Sequence, residues 1–435
     1  MDLMTIAILG IALLVLLLFL GMNIGLAMAF VGFAGYWYVR DFGAAFGILK
    51  TIPFTNAMKY SFMVIPMFVL MGQFAFHANL SSGLFHAADR WLGRFRGGLA
   101  MATVAACAGF SAICGSTAAT AATMGTVALP EMRRHGYQDS LATGSIAAGG
   151  TLGILIPPCT GFFIYGIVAE QSIGQLFAAG ILPGIVLALC YIAAIGITVR
   201  VKPALAPQTV KYSLREMLVS LKGIVAIAVL FLAVIGGMFM GYFTANEAAA
   251  IGAMLALLYM ILMRQFTWAR FLASLRDTIK TSAMVFLILV GAYIFGAFLA
   301  ITQLPMRLAA FVEGLDVNRY VVLAIIIAIY IVLGCLMDSL AMVMLTVPIF
   351  LPIIISLGFD PIWYGVLMIM VMEMGLITPP VGMNVYIVAG VAKDVPLTTI
   401  FRGVAPMVIG MVVAIIAVVC VPQLALFLPG QMSGI

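Results

Sequence analysis

Two proline pairs constrain this chain more than any other feature. Pro157-Pro158 and Pro379-Pro380 stand 222 positions apart, each four residues beyond a glycine (Gly153, Gly375) inside a long apolar run. The same offset lays Leu129-Pro130 on Leu351-Pro352, Gly136-Tyr137 on Gly358-Phe359, and Ser116-Thr117 on Asp338-Ser339. One unit therefore occurs twice: a small polar cluster, an apolar segment running to Leu-Pro, a Gly-aromatic turn, and a span interrupted at Gly-x-x-x-Pro-Pro. A proline pair removes two backbone donors and frees carbonyls of the preceding turn. In hydrocarbon such a defect is confined to places buried in protein or lining a cavity. Interrupted apolar segments at matching positions of two halves point to a secondary transporter with its site at the breaks.

Composition supplies the membrane. The 435 residues are 65% hydrophobic and 8% charged, with a mean hydropathy of +1.23, against about 45–50% apolar and about 25% charged in soluble domains. There is room for many spans of about 20 residues and no polar stretch long enough for a soluble domain. Net charge is +6, but the 21 Lys and Arg residues cluster in connections, which reflects loop topology and argues against a nucleic-acid partner. Met1-Asp2 puts an acid where a signal peptide needs a basic region, so Met4–Leu20 is expected as a first membrane helix. The six cysteines lack C-x-x-C spacing and are expected as buried thiols that pack as small hydrophobes. His77, His86 and His135 are scattered, so no transition-metal site is expected.

The first half reads as spans at Met4–Leu20, Asn23–Val39 and Phe62–Phe76, with amphipathic stretches at Phe42–Tyr60 and Leu80–Arg96 suited to the membrane interface. Gly97–Phe110 and Ser116–Pro130 are each too short to cross about 30 Å of hydrocarbon comfortably. With Ser111–Thr117 as a polar tip, they read as a re-entrant hairpin. Ser140–Ile156 and Cys159–Ala169 form a helix broken at the prolines, and Ile181–Val199 closes the half. Arg200–Lys222 is a basic linker, cytoplasmic by the positive-inside rule. Gly223–Tyr242 and Thr244–Met263 follow, with Thr244-Ala-Asn-Glu247 as a capping box, and then a basic connection through Arg264, Arg270, Arg276 and Lys280. The second half repeats the plan: a span at Ser282–Ile301, a short piece at Pro305–Leu315, and a hairpin of Tyr320–Cys335 and Asp338–Pro352. A broken helix of Ile362–Ile377 and Val381–Val391 and a last span at Val404–Leu426 complete it.

A cation site follows from the same residues. A hard monovalent cation needs about six oxygens, and carboxylates are scarce here, so unwound turns at Gly153–Pro158 and Gly375–Pro380 must supply carbonyls. Hydroxyls of Ser116, Thr117, Ser339 and Thr378 lie at the tips or breaks. Mostly neutral ligands favour sodium over calcium, while Asp338 and Glu373, acids in apolar sequence, leave proton coupling open.

Four segments in order, Phe110–Thr120, Gly150–Pro158, Phe243–Ala248 and Thr378–Asn384, resemble the large membrane subunit of tripartite ATP-independent periplasmic (TRAP) transporters. The likeness covers essentially the whole chain. It implies an all-α polytopic membrane protein of the bacterial inner membrane, an inverted-repeat elevator-type transporter with two re-entrant hairpins and two broken helices. Residues 1–96 and 223–315 would be scaffold, 97–199 and 316–435 the two transport repeats, and 200–222 the linker. The resemblance implies sodium coupling, a small four-helix membrane subunit, and a periplasmic substrate-binding protein that delivers an organic acid. Cys114 stands at the first tip where family members often carry serine, so there its backbone carbonyl rather than its side chain would serve.

These readings assign one sodium site to Cys114, Ser116, Gly153, Ile156 and Pro158, and a second to Gly334, Asp338, Gly375, Thr378 and Val381. The substrate anion is expected at Thr117, Thr160, Gly382 and Asn384, facing the half-helix N-termini at Cys159 and Val381, which attract negative charge. Against this, Thr120 and Gly125 read as close-packing residues, Glu247 as a helix cap, and Glu170 and Lys393-Asp394 as solvated ends. An unpaired charge at Asp338 would be costly, which favours function there. Glu373 reads either as a ligand or as the structural partner of a basic residue. No nucleophile–base pair supports an enzyme, and the two units do not read as a channel filter. A stand-alone sodium–anion symporter of related elevator architecture is the nearest alternative.

Overall fold

The computed structural model describes residues 2–206, 212–314 and 317–432. Pro207 and Lys211 of the basic linker, and Leu315, lie outside them. The regular elements are helices, seven of them long and apolar enough to cross a membrane. In hydrocarbon, backbone polar groups must be satisfied internally, and local sequence does this at the helix ends. Asn23 accepts from the Gly25 amide at 3.0 Å. Thr244 and Glu247 form the expected reciprocal capping box, with the Thr244 amide 2.8 Å from the Glu247 carboxylate.

The repeated unit appears as the same succession of elements. In the first copy, arms Gly98–Cys114 and Thr117–Arg134 are followed by Asp139–Gly150, a 3-10 turn Thr151–Ile154, a half-helix Thr160–Val168, and the long helix Ile173–Val201. In the second, arms Arg319–Gly334 and Ser339–Ser356 lead to Pro361–Gly375, the half-helix Met383–Val391, and Leu397–Cys420. Both half-helices have nine residues. The proline pairs interrupt both helices where expected.

Several boundaries differ from the sequence reading, each for a local reason. The first arm runs on through buried Ser111, whose hydroxyl bonds back to the Cys107 carbonyl at 2.6 Å. The tip is therefore only Gly115-Ser116, with Gly115 in the left-handed conformation (φ +61°) that glycine adopts without strain. The returning arms pass through Pro130 and Pro352 to Arg134 and Ser356, because a helix in a protein environment tolerates an internal proline at the loss of one bond. Arg270, Arg276 and Lys280 are helical, on a helix that runs unbroken for 35 residues, Trp268–Thr302. The last span stops at Cys420, before Pro422, and a separate helix Gln423–Met432 follows. Cys420 is exposed, unlike the buried thiol expected there.

Side-chain bonds between elements sort into two sets. One lies within and between the two repeats: Arg133 to Asp139 and Asp394 at 2.7 and 2.8 Å, Trp363 to the Val418 carbonyl, and Asn384 to the Ala147 carbonyl. The other joins the remaining helices: Trp91 to the Met217 carbonyl, Arg90 to Glu216, Asn246 to the Tyr60 carbonyl, and Arg307 to Asp2. None of these crosses from one set to the other. Several close backbone crossings stay within a set, whereas Gly72 lies across the two, its Cβ position 3.1 Å from the Cys114 carbonyl oxygen. A Cβ on Gly32 would stand 2.7 Å from Phe295 Cα, and one on Gly25 2.6 Å from the Leu287 carbonyl oxygen, within the second set. Within the first set, Gly144 and Gly403 pack backbone to backbone. Small residues of this kind drive membrane helices together by packing alone.

Candidate functional site

Each break docks on the hairpin of its own repeat, and a glycine makes the dock possible. A Cβ on Gly153 would stand 2.6 Å from the Ser116 carbonyl oxygen, and one on Gly375 2.6 Å from Gly334 Cα. This is the physical role of the glycine four residues before each proline pair. At the first tip, a Cβ on Gly115 would meet the Pro158 carbonyl at 2.8 Å, while Thr160 donates its hydroxyl to the Gly115 carbonyl at 3.0 Å. At the second, the Thr378 hydroxyl lies 3.2 Å from both the Gly375 carbonyl and Cys335 Sγ.

The residues assigned to the two ion sites are thus largely brought together. Cys114, Ser116, Gly153 and Pro158 meet at the first tip. The Ile156 side chain is directed at Gly184 of the long helix, which leaves its backbone as the available group. Gly334, Asp338, Gly375 and Thr378 gather at the second tip. Val381 is 38% exposed on the loop beyond the prolines. Asp338 caps its helix, accepting from the Leu340 amide at 3.1 Å.

The carbonyls freed by the prolines fare differently. In an α-helix Pro157 and Pro158 would have faced the carbonyls of Gly153 and Ile154, and Pro379 and Pro380 those of Gly375 and Leu376. Gly375 accepts from the Thr378 amide at 3.3 Å, and Leu376 from the Asn384 amide at 3.0 Å. Among the described residues no such donor replaces the lost bonds of Gly153 and Ile154. Free carbonyls in an apolar setting are cation ligands in chemical character.

A cavity of about 520 Å³ opens beside both tips. Its polar wall comprises Ser116, Thr117, Thr160, Asp338, Ser339 and Asn384, and the opposite helices contribute Gln73, Asp277 and Thr281. Three of the four expected substrate residues line it, and Gly382 does not, serving instead as the N-cap of the second half-helix. Asn384 is 1% exposed, and its amide nitrogen is 3.1 Å from the Ala147 carbonyl, so it ties the second half-helix to the first repeat. Sequence reasoning left Glu373 open between a functional acid and the structural partner of a basic residue. It is fully buried, and its partners are two hydroxyls, Thr117 and Ser339, rather than a basic residue. The signal available was an acid amid methionines, aligned by the repeat with Thr151.

A multi-pass helical chain whose broken helices and hairpin tips meet at one cavity with a polar wall is built as a membrane transport protein. It belongs to the family described as the tripartite ATP-independent periplasmic transporter, DctM component, whose family model matches residues 11–424. The chain is 35% identical to the C4-dicarboxylate TRAP transporter large permease protein DctM of Pseudomonas aeruginosa, over 87% of this chain and 88% of that one. To the sialic acid TRAP transporter large permease protein SiaM of Vibrio cholerae it is 34% identical, over 96% and 97% respectively. Its fold is similar to the crystal structure of the Alcanivorax borkumensis YdaH transporter, with a TM-score of 0.59 at 14% identity over 90% of this chain and 89% of that one. The chain is accordingly a multi-pass protein of the bacterial inner membrane and a transporter component.

Proposed function

We propose that this subunit carries a small organic anion, a carboxylate or sulfonate, into the cell in symport with sodium. The observation that carries the reading is the convergence of two hairpin tips and two unwound breaks on one cavity. The relatives named above are described as carrying C4-dicarboxylate and sialic acid, both carboxylic acids. The anion would sit at the N-termini of the two half-helices, with Thr117, Thr160 and Asn384 around it. Sodium would be held by the Ser116 hydroxyl and the carbonyls of Cys114, Gly153, Ile156 and Pro158 at one tip. At the other it would meet Asp338 and Thr378 with the Gly334, Gly375 and Val381 backbone. Partners are a small four-helix membrane subunit and a periplasmic substrate-binding protein.

The proposed movement is that of an elevator: 97–199 and 316–435 move as one body past 1–96 and 223–315, with hairpins that re-enter the membrane as inverted repeats. The sorting of the named side-chain bonds into two sets supports this. Apolar contact carries no directional bonds to break when one body slides on another. The positive-inside rule puts the end bearing Arg133, Arg134, Arg200 and Arg270 in the cytoplasm.

The test is uptake by the full three-component system in proteoliposomes. Uptake should rise with external sodium at more than first order and vanish when lithium or choline replaces it. A proton gradient without sodium that drives uptake equally well would refute sodium coupling. Robust uptake by this chain alone would favour the stand-alone symporter.

A further inference from the structure

Glu373 lies on Pro361–Gly375 with 0% exposure. Its Oε2 accepts from the Thr117 hydroxyl and its Oε1 from the Ser339 hydroxyl, both at 2.9 Å. Those two hydroxyls are repeat mates, 222 positions apart, and each begins the returning arm of its hairpin. One carboxylate from the second repeat therefore holds equivalent residues of both. Nothing mirrors it: the matching Thr151 bonds the Ala148 carbonyl and the Tyr191 hydroxyl. Buried polar groups take hydrogen-bond partners because leaving them unpaired is costly. Here the partners are drawn from two separate hairpins, and the residue just before each is a candidate ion ligand, Ser116 or Asp338.

We propose that Glu373 is the positioning residue that couples the two hairpin tips, so that filling one ion site orders the tip that completes the other. The proposal rests on the sodium reading above. An ion that orders one tip fixes that side of the carboxylate, which lowers the ordering cost of the second tip and gives positive cooperativity. No change in charge is required, only two bonds to one rigid group.

The experiment is the sodium dependence of uptake by the full transporter in proteoliposomes. Glu373→Met keeps the length of the side chain and removes both acceptors. Its sodium curve is expected to flatten from steep toward first order, with half-saturating sodium raised roughly tenfold, the scale of a typical coupling between sites. Glu373→Gln is expected to keep the steepness, since hydroxyls both donate and accept and each can pair with one end of an amide. Ser339→Ala removes one arm of the bridge and is expected to flatten the curve as well, which carries the test if the Met variant fails to fold. A purely structural role would lower the maximal rate without changing the steepness. An unchanged steepness in Glu373→Met or Ser339→Ala, or a flattening in Glu373→Gln as complete as in Met, would overturn the proposal. A wild-type curve with no sodium dependence would instead remove the sodium reading itself, and the bridge with it.

Discussion

The first repeat meets its break with a neutral tip, and the second meets its break with an acid. The backbone plan is shared: two arms, a glycine dock, a proline-broken helix of which the second part has nine residues in each copy. The contents differ. Gly115-Ser116 turns the first chain in two residues, while Cys335–Asp338 needs four and places a carboxylate at the rim of the cavity. At the first break the freed carbonyls have no replacement donors among the described residues, and at the second Thr378 and Asn384 supply them. The two copies share one order of elements, and different residues at matching positions make the two tips chemically unequal. In the proposed sodium reading the first would offer a cation carbonyls, and the second would add formal charge.

The sharpest way to break this comparison is to attack the shared part. Gly153→Ala and Gly375→Ala each drive a methyl into hairpin backbone rather than into a side chain able to swing aside. Overpacking of this kind costs about 1–3 kcal/mol, and both variants are expected to lose most uptake at normal membrane levels. Full uptake by one and not the other would show that the docks are not equivalent.

Next comes the unequal part. Asp338→Asn keeps an oxygen to cap its helix and removes the charge, so the fold should persist while half-saturating sodium rises. The rise expected is tenfold or more, corresponding to about 1.5–3 kcal/mol for a contact with a charged group. Ser116→Ala should act more weakly, because a neutral bond is worth about 1 kcal/mol. Equal effects at the two tips would remove the distinction between them.

Asn384→Leu tests a tie found only in the second repeat, where the matching residue of the first is Phe162. Loss of the bond to Ala147 should cost about 1 kcal/mol, seen as a slightly lower melting temperature together with reduced uptake. Unchanged uptake would take Asn384 out of the substrate site.

The smallest effect is expected at the ion-paired end. A hydrogen bond from Arg133 holds the Asp394 carboxyl below its ordinary range. A depressed folded value means that the clamp stabilises fully above the ordinary carboxylate value of about 4 and is lost as pH falls through the folded value. Melting of Asp394→Asn should therefore lie slightly below wild type at pH 7, and the gap should close in acid. Exposed pairs contribute little, so a large gap would mean that the clamp does more than join two ends.

Much of the frame was legible because its signals are local. Proline pairs break helices wherever they stand, a Thr-x-x-Glu box caps, and a 222-residue offset survives in turn residues. What stayed hidden depended on distance in sequence. Ser111 reads as a polar tip until its hydroxyl is seen returning to the preceding turn. Glu373 reads as an isolated acid because its partners lie 256 and 34 residues away. The run Arg270–Lys280 reads as a loop because charge was weighed above helical continuity.

That continuity has a consequence for immersion depth. A helix of 35 residues is about 52 Å long, far more than the roughly 30 Å of hydrocarbon it must cross. Its uncharged part, Ser282–Thr302, spans the oily layer with little to spare, and Lys280, Arg276 and Arg270 begin where that layer ends. The helix can neither sink without dragging cations into lipid nor rise without wetting its apolar length. It works as a waterline marked on a hull. Packed on Ile24–Val39 through Gly25 and Gly32, it holds its neighbours at the same draught, so that a thinner or thicker bilayer must bend around this half of the molecule.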